Sequence, residues 1–242
     1  MSKAGANTHA TRALVELRER ILTGEFGVGM RLYEVPVAEQ LKISRTPVRD
    51  AFGRLAEEGL LDRLPGGGYA VRTFSVEDVI DAIELRGVLE GMAARLAAER
   101  GPDPHKLETM QKIVIAIDGC FSGEDVNIGR YSELNSDFHE ALAGLAGSRT
   151  IQREIERATK LPFASPAAFL PENARYFPQT HSFRSAQEQH RALVVAIEAR
   201  EGTRADAIAR EHARIARHNL EYVLGEDVNF DQPLPGLALI VN

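Results

Sequence analysis

Apolar residues recur at helical spacing near the start of the chain. Four of them fit one face of a predicted helix: Leu14, Leu17, Ile21 and Leu22. Glycines after residue 23 end this helix. Two shorter helices are predicted over residues 36–41 and 44–58, with Ser44 as the N-cap of the second. Two β segments flank a glycine-rich turn and predict a hairpin, so three helices and a hairpin are expected over residues 8–73.

From residue 75 to residue 224 the hydrophobic pattern is helical throughout. Glycines and prolines divide it into six or seven predicted helices, and no segment shows the alternation typical of a strand. Residues 225–242 contain two prolines and predict a tail that is ordered only if it docks on the rest of the chain. The predicted fold is mainly α, with a small domain at 8–73, a helical domain at 75–224 and this tail.

The composition is that of a globular protein without membrane spans. Hydrophobic residues make up 44% of the 242 residues and charged residues 26%, so extensive disorder is not expected. No apolar run approaches the roughly 18 residues that a transmembrane helix needs, and residues 1–11 lack the apolar core of a secretory signal. The single cysteine, Cys120, has no partner for an internal disulfide. We therefore expect a cytoplasmic protein with no membrane partner.

The net charge of −6 is unevenly distributed along the chain. Residues 1–72 carry a net charge of +2, whereas residues 73–242 carry −8. A weakly basic module followed by an acidic body is consistent with binding of a polyanion at the N-terminal end.

The predicted helix over residues 44–58 has two distinct faces. One face is apolar and is formed by Val48, Ala51, Phe52 and Leu55. On another face Arg45 and Arg49 lie four positions apart, with Thr46 beside them. Arginine is the usual bidentate partner of guanine, and hydroxyl groups bind phosphates, so this face is typical of a DNA-reading helix. The alternative is a small helical domain with solvated arginines, and the arginine pair alone does not separate the two.

Histidines and one asparagine could converge inside the helical domain. Asn135 lies four residues before His139 on one predicted helix, while His190 and His212 lie on two others. Three imidazoles and an amide oxygen inside a bundle can hold a divalent transition metal. The alternative is that each histidine is an ordinary core or surface residue, because their separations match no local metal motif.

The string LKISRTPVRDAF, from Leu41 to Phe52, resembles the winged helix-turn-helix of the GntR family of bacterial transcription regulators. The resemblance extends over residues 8–73 and implies a DNA-binding domain of three helices with a hairpin wing. It also implies the residues that contact DNA: Ser44, Arg45, Thr46, Pro47, Arg49, Gly67 and Gly68. One departure is at residues 34–36, Glu-Val-Pro, where many members carry a basic residue that contacts DNA.

Residues 75–224 resemble the all-helical effector (FCD) domain of the FadR-like branch of that family. The matching stretches are 84–90, 138–139, 190–193 and 210–212. The resemblance implies a metal bound by Asn135, His139, His190 and His212 and a small carboxylate effector near Arg86. Zinc is the expected metal, with nickel, manganese or iron as alternatives. Asparagine stands where aspartate is commoner, and its neutral oxygen is a weaker ligand.

Together these features predict a DNA-binding transcription regulator that responds to a small molecule. We expect a homodimeric repressor that binds a short inverted repeat and is released by an aromatic or sugar acid, with vanillate-responsive regulators as the more distant resemblance. Two alternatives stay open: a metal-dependent enzyme that uses the three histidines, and a DNA-binding dimer with a purely structural metal. The enzyme is disfavoured because no spacing such as HExxH supplies a general base.

Overall fold

The computed structural model describes residues 3–123, 125–160, 163–166, 180–225 and 236–241. These residues divide into two compact units. The N-terminal unit extends to Val79 and includes the described segment 236–241. The helical unit begins at Ile80, runs to Thr159 and resumes at Phe163. No helix in the described ranges is long and apolar enough to span a membrane.

The N-terminal unit contains three helices and a small antiparallel sheet. The elements are α1 (Lys3–Leu22), β1 (Arg31–Leu32), α2 (Glu34–Leu41), α3 (Arg45–Glu57), β2 (Leu61–Arg63) and β3 (Tyr69–Val71). The strand order is β1-β3-β2, and β1 pairs Arg31 with Ala70 and Leu32 with Tyr69. The three helices and the hairpin were predicted, whereas β1 was not, because two residues are too short to show an alternating pattern.

The turn between α2 and α3 fixes the direction of α3. Lys42 adopts a left-handed conformation with φ of 55°, and the amide of Ile43 donates to the carbonyl of Ala38 at 3.0 Å. Ser44 occupies the N-cap position as predicted, but its hydroxyl makes no capping hydrogen bond. The apolar face of α3 is fully buried, and the ring of Phe52 contacts that of Tyr69 at 5.1 Å between centroids. This contact joins α3 to the hairpin.

The described end of the predicted tail packs into the N-terminal unit. The amide of Phe74 donates to the carbonyl of Leu239 at 3.0 Å, and the amide of Val241 donates back to the carbonyl of Phe74 at 2.9 Å. The amide of Gly236 donates to the carbonyl of Leu22 at the end of α1. Leu239 is completely buried. Segment 236–241 therefore completes the core of a unit whose other elements lie near the start of the chain; residues 226–235 and 242 lie outside the described residues.

The helical unit contains six helices among the residues described. They are α4 (Val76–Arg100), α5 (Pro104–Asp118), α6 (Ile128–Leu145), α7 (Arg149–Ala158), α8 (Thr180–Glu198) and α9 (Gly202–Gly225). This confirms the prediction of a mainly α fold with six or seven helices. A two-stranded ribbon, β4 (Phe121–Ser122) with β5 (Asp125–Val126), was not predicted. Side-chain caps start several helices; for example, Asp103 accepts from the amides of His105 and Lys106 at the start of α5.

Small residues let α4 and α9 approach closely. A Cβ atom on Gly87 would lie 2.8 Å from the Cβ of Ala213, which is closer than carbon atoms can pack. A larger residue at either position would separate the two helices. Arg86 precedes Gly87 on α4, and Glu90 lies one helical turn after it. His212 precedes Ala213 on α9. The close contact of the two helices therefore brings these three polar side chains together inside the unit.

Candidate metal centre and candidate DNA interface

Buried polar side chains concentrate in one cluster of the helical unit. Eight polar or charged residues are buried in the described part of the chain: Arg86, Glu90, Asn135, His139, Gln187, His190, His212 and Asn219. Each of them lines the same cavity or hydrogen-bonds to a residue of the cluster. A protein interior tolerates buried polar groups only where they are paired or have a function, so this cluster marks the candidate site.

Three imidazoles from α6, α8 and α9 converge through their Nε2 atoms. Nε2 of His212 lies 3.1 Å from Nε2 of His190 and 3.3 Å from Nε2 of His139. Ligand atoms of the three residues all lie within 4.8 Å of one another. Imidazoles bound to a metal at about 2.0–2.1 Å place neighbouring nitrogens about 3.0 Å apart in octahedral and about 3.4 Å apart in tetrahedral geometry. The observed separations match this range.

The opposite nitrogen of each imidazole faces an oxygen atom. Nδ1 of His139 lies 2.9 Å from Oε1 of Glu90, and Nδ1 of His190 lies 3.1 Å from Oε1 of Gln187. Nδ1 of His212 lies 3.1 Å from Oε1 of Gln189. Carboxylate and amide oxygens are acceptors, so each Nδ1 carries the proton and donates. The three Nε2 lone pairs then point at one another without a proton between them, and a bound cation would relieve this repulsion.

Gln187 is itself fixed in orientation. Its Nε2 atom donates to the carbonyl of Val114 at 2.8 Å and to the carboxylate of Asp118, which also pairs with Arg191 at 2.6 Å. The amide oxygen therefore faces His190. A chain of hydrogen bonds thus runs from a surface ion pair to the imidazole cluster. It selects the tautomer of His190 that carries the proton on Nδ1 and leaves Nε2 free for a metal.

Burial keeps two of the imidazoles neutral at physiological pH. Desolvation is the largest effect on His190 and, with the neighbouring imidazoles, holds its pKa well below the usual range. Burial, reinforced by His139, lowers the pKa of His212 to about 3 even though Glu90 opposes the shift. A neutral imidazole is the form that binds a metal ion, so these ligands need not lose a proton first.

Arg86 and Glu90 bring opposite charges into the cluster. Burial raises the pKa of Glu90, but attraction to His139 and Arg86 outweighs it and lowers the pKa to about 2, so this carboxylate stays ionised. Within the described residues the Nε and Nη1 atoms of Arg86 and Oε2 of Glu90 have no hydrogen-bond partner. The i,i+4 ion pair between these residues, which the sequence spacing allows, is not among the ion pairs of the described chain. A buried guanidinium with unpaired N–H groups has the donors and the charge that suit an anion.

The cavity beside the imidazoles is small and polar. It has a volume of about 30 Å³ available to the centres of water molecules, roughly the space of two waters or of one carboxylate group. Its walls include Arg86, Asn135, His139, Pro166, His212 and Asn219. The side-chain nitrogen of Asn135 donates to the carbonyl of Pro166 at 3.1 Å, which leaves its oxygen for a cation. The structure thus brings all four predicted ligands and Arg86 into one cluster.

Five of the seven predicted DNA-contacting residues lie together at the start of α3, and the other two lie in the wing. Ser44, Arg45, Thr46 and Arg49 are exposed, and Pro47 is half-buried. Nη2 of Arg45 lies 3.3 Å from Oε2 of Glu34 on α2. In the wing, Gly67 and Gly68 have φ values of 89° and 82°, and a Cβ on Gly68 would lie 2.8 Å from the Tyr33 ring. Only glycine fits this close approach without strain.

Comparison with known protein families accounts for both parts of the chain. Residues 81–214 match the FCD domain, and residues 10–71 match the bacterial regulatory proteins of the gntR family. The chain belongs to the GntR family of bacterial regulators. This GntR protein is accordingly a transcription regulator and not an enzyme, and the enzyme alternative is set aside.

Two relatives of this GntR protein are also named as regulators. The Nta operon transcriptional regulator of Aminobacter aminovorans is 35% identical over 54% of this chain, an alignment that spans 60% of that protein. A probable D-xylose utilization operon transcriptional repressor of Paenarthrobacter nicotinovorans is 31% identical over 84% of this chain and 82% of that protein. The E. coli McbR/YncC structure has the same fold, with a TM-score of 0.60, 21% identity and coverage of 90% and 97% of the two chains.

Sequence reasoning missed the residues that support the imidazoles of this GntR protein. Glu90 was not predicted to contact His139. The three-residue spacing from Gln187 to His190 puts both residues on one helix face and is the signal that indicates their contact. Gln189 gave no signal, because its partner His212 lies on a different helix. Three other histidines, His105, His181 and His218, are exposed, and the side chain of His9 lies outside the described residues.

Proposed function

We propose that this regulator is a metal-dependent repressor that leaves its DNA operator when a small carboxylate binds at the imidazole cluster. The observation that carries the proposal is the convergence of three Nε2 lone pairs beside a buried guanidinium with unpaired N–H groups. The first feature is suited to a cation and the second to an anion. A metal-bound carboxylate supplies both.

The residues present fit a divalent transition metal. His139, His190 and His212 would supply three nitrogen ligands and Asn135 an oxygen, while Glu90, Gln187 and Gln189 orient the imidazoles. Zinc suits a three-imidazole set, and nickel, manganese and iron are alternatives. When bound, the metal would supply a coordination position for an oxygen of the effector.

Arg86 is the residue that would bind the effector directly. Its Nε and Nη1 atoms are buried without a partner, and it lines the cavity with Asn135, His139 and His212. An acidic effector would satisfy these donors with charge-assisted hydrogen bonds. Aromatic and sugar acids are the predicted classes, and the small cavity favours a compact acid group in contact with Arg86.

The start of α3 would read DNA in the major groove. Arg45 and Arg49 would contact guanine. The hydroxyl of Ser44, which makes no capping hydrogen bond, and that of Thr46 would contact phosphates. The weak ion pair of Arg45 with Glu34 would open on binding, because the DNA contact replaces it. A homodimer would place two such helices on an inverted repeat.

Release of the operator requires only modest coupling between the sites. An effector that changes DNA affinity by about 5–150-fold corresponds to about 1–3 kcal/mol of coupling free energy. The relative named as a probable D-xylose utilization repressor supports repression as the sense of regulation. The two operon names, Nta and D-xylose, point to different effectors, so neither is transferred to this protein.

The proposal is tested with double-stranded DNA selected from a random library for binding to the full-length protein. DNA affinity is measured by fluorescence anisotropy for metal-free and zinc-loaded protein, each with a panel of small carboxylates. We expect a carboxylate to weaken DNA binding of the zinc-loaded protein only. His139→Ala should bind DNA and fail to respond, whereas His218→Ala, an exposed histidine on α9, should respond as the parent does.

Two results would contradict the proposal. If the protein holds no transition metal after zinc loading, the proposed metal site does not exist. Zinc-loaded protein whose DNA affinity is insensitive to every carboxylate would indicate a structural metal instead.

A further inference from the structure

A glycine interrupts the face of α3 that carries the two candidate base-reading arginines. Arg45, Arg49 and Gly53 are spaced four positions apart, so they follow one another along one side of the helix, about 6 Å from one to the next. After proline, glycine is the least favourable residue for a helix interior. Gly53 has no positive φ that would require a glycine. The reason for a glycine here therefore lies in what surrounds it.

The guanidinium of Arg63 lies over Gly53. A Cβ atom on Gly53 would be 4.0 Å from Nη2 of Arg63, which comes from strand β2 of the hairpin. A long side chain at position 53 would compete with this guanidinium for the same space, whereas glycine leaves the space open. The place that follows Arg49 along α3 is thus taken by an arginine from another element.

The hairpin holds Arg63 in this position. Arg63 pairs with Tyr69 across the two strands, and its guanidinium lies 5.9 Å from the centre of the Tyr69 ring, within the range of a cation–π contact. The Tyr69 ring in turn contacts Phe52, which is buried beneath α3 and precedes Gly53. The side chain of Arg63 is therefore fixed by an aromatic ring that is itself anchored in the core.

Arg63 is an exposed cation without an acidic partner in the described part of the chain. Other arginines of the same unit are paired: Arg18 with Glu58 at 2.7 Å, and Arg45 with Glu34 at 3.3 Å. A solvated arginine is common on a protein surface, but this one is held in line with Arg45 and Arg49. Its charge is therefore both fixed in place and available to an external anion.

We propose that Arg63 binds a backbone phosphate of the DNA and extends the row of Arg45 and Arg49 from the wing. This rests on the proposed reading of DNA by the start of α3. The N-terminal residues of a recognition helix contact base edges, whereas Arg63 lies beside the third turn of α3. A guanidinium at that place would face the phosphates that border the groove and bind one through charge-assisted hydrogen bonds.

The test uses the full-length protein with a duplex selected from a random library and an unrelated duplex of equal length. Affinity is measured by fluorescence anisotropy between about 50 and 200 mM salt. Arg63→Gln should weaken binding of both duplexes by about tenfold and make the salt dependence less steep by about 0.9, the value for one phosphate contact. Arg63→Lys keeps the charge and should keep the slope. Arg54→Gln removes an exposed arginine of α3 that lies outside the row, and it should change both quantities much less.

Two substitutions of Gly53 test the placement of the guanidinium. Gly53→Ala brings its Cβ only to van der Waals distance of Arg63 and should bind DNA within about twofold of the parent. Gly53→Met would displace the guanidinium and should weaken binding as Arg63→Gln does. Both new residues favour a helix more than glycine does, so α3 should stay folded. The double variant, Gly53→Met with Arg63→Gln, should bind no more weakly than either single variant, because both changes remove the same contact.

The outcomes separate this inference from the proposed function. If Arg49→Ala leaves DNA affinity unchanged, the reading of DNA by α3 is wrong. If Arg49→Ala weakens binding while Arg63→Gln changes neither the affinity nor the salt dependence, the inference about Arg63 alone is overturned. A loss in Arg63→Gln that is confined to the selected duplex, with an unchanged salt dependence, would indicate a base contact and overturn the phosphate contact. Additive losses in the double variant would show that Gly53→Met acts on the DNA directly, which would overturn the role given to Gly53.

Discussion

The two candidate sites of this protein are built in opposite ways. Most of the candidate DNA-contacting residues lie close together in sequence, at the exposed start of one helix, α3, and Gly67 and Gly68 lie in the wing. The candidate metal ligands are buried and come from three helices, and Glu90, which contacts one of them, comes from a fourth, α4. The exposed site depends on a local string of residues, whereas the buried site depends on the packing of the whole unit.

This difference has consequences for substitution. An exposed arginine on α3 can be replaced with little effect on folding, because it contributes few packing contacts. A buried polar residue of the cluster affects binding and stability together, because its partners lose their hydrogen bonds in the interior. Substitutions in either region therefore test whether the two sites are independent.

The largest expected effect is that of His190→Ala. His190 is fully buried and its Nε2 lies 3.1 Å from that of His212, so removing it takes away one ligand. Loss of a hydrogen-bond partner that orients a ligand costs up to about 100-fold in metal affinity. Loss of the ligand itself should lower zinc affinity by more than that. Competition with a chromophoric chelator measures this, and DNA affinity without effector should stay within about twofold of the parent. Unchanged zinc affinity would show that His190 is not a metal ligand.

Leu239→Ala should destabilise the N-terminal unit. Leu239 is completely buried there, and truncation of a buried leucine costs about 2–5 kcal/mol. Hydrogen exchange of the amides of α1 should become faster, while zinc content stays the same. Val241→Ala is the control, since Val241 is 39% exposed and should cost much less. Faster exchange in the helical unit instead would show that the segment supports that unit.

Arg49→Ala should weaken DNA binding by about 1–3 kcal/mol, the value of one bidentate contact with guanine. The dependence of DNA affinity on salt should also become less steep. Arg54→Ala removes an exposed arginine from the same helix and is the matched control. Equal losses in the two variants would indicate that α3 contributes only general positive charge. Zinc binding should be unaffected by either change.

Gln187→Leu should have the smallest of these effects. The variant removes the oxygen that accepts from Nδ1 of His190, and zinc affinity should fall by about tenfold, at the low end for a residue that orients a ligand. Gln152→Leu, on the surface of α7, is the control. A loss as large as that of His190→Ala would mean that the cluster collapses without this hydrogen bond.

The sequence predicted those parts of the molecule that depend on local pattern or on long motifs. The apolar face of α3 and the helices of the helical unit follow from spacing, and the three histidines follow from resemblance combined with their helical positions. The partners of the imidazoles did not follow, because the approach of α4 to α9 depends on Gly87 and Ala213, which have no chemical signature of their own. The docking of Leu239 also did not follow, since no periodicity relates it to Phe74.

The placement of Leu239 also affects when the N-terminal unit is completed during synthesis. The ribosome finishes α1, α2 and α3 early, but the segment that completes their core emerges only after the helical unit has been synthesised. At about 5–20 residues per second the delay is on the order of ten seconds. During that interval the DNA-binding part lacks a piece of its interior. A nascent or truncated chain would therefore be a poor competitor for the operator, and full affinity for DNA would be acquired only by chains that have been translated to the end of this segment.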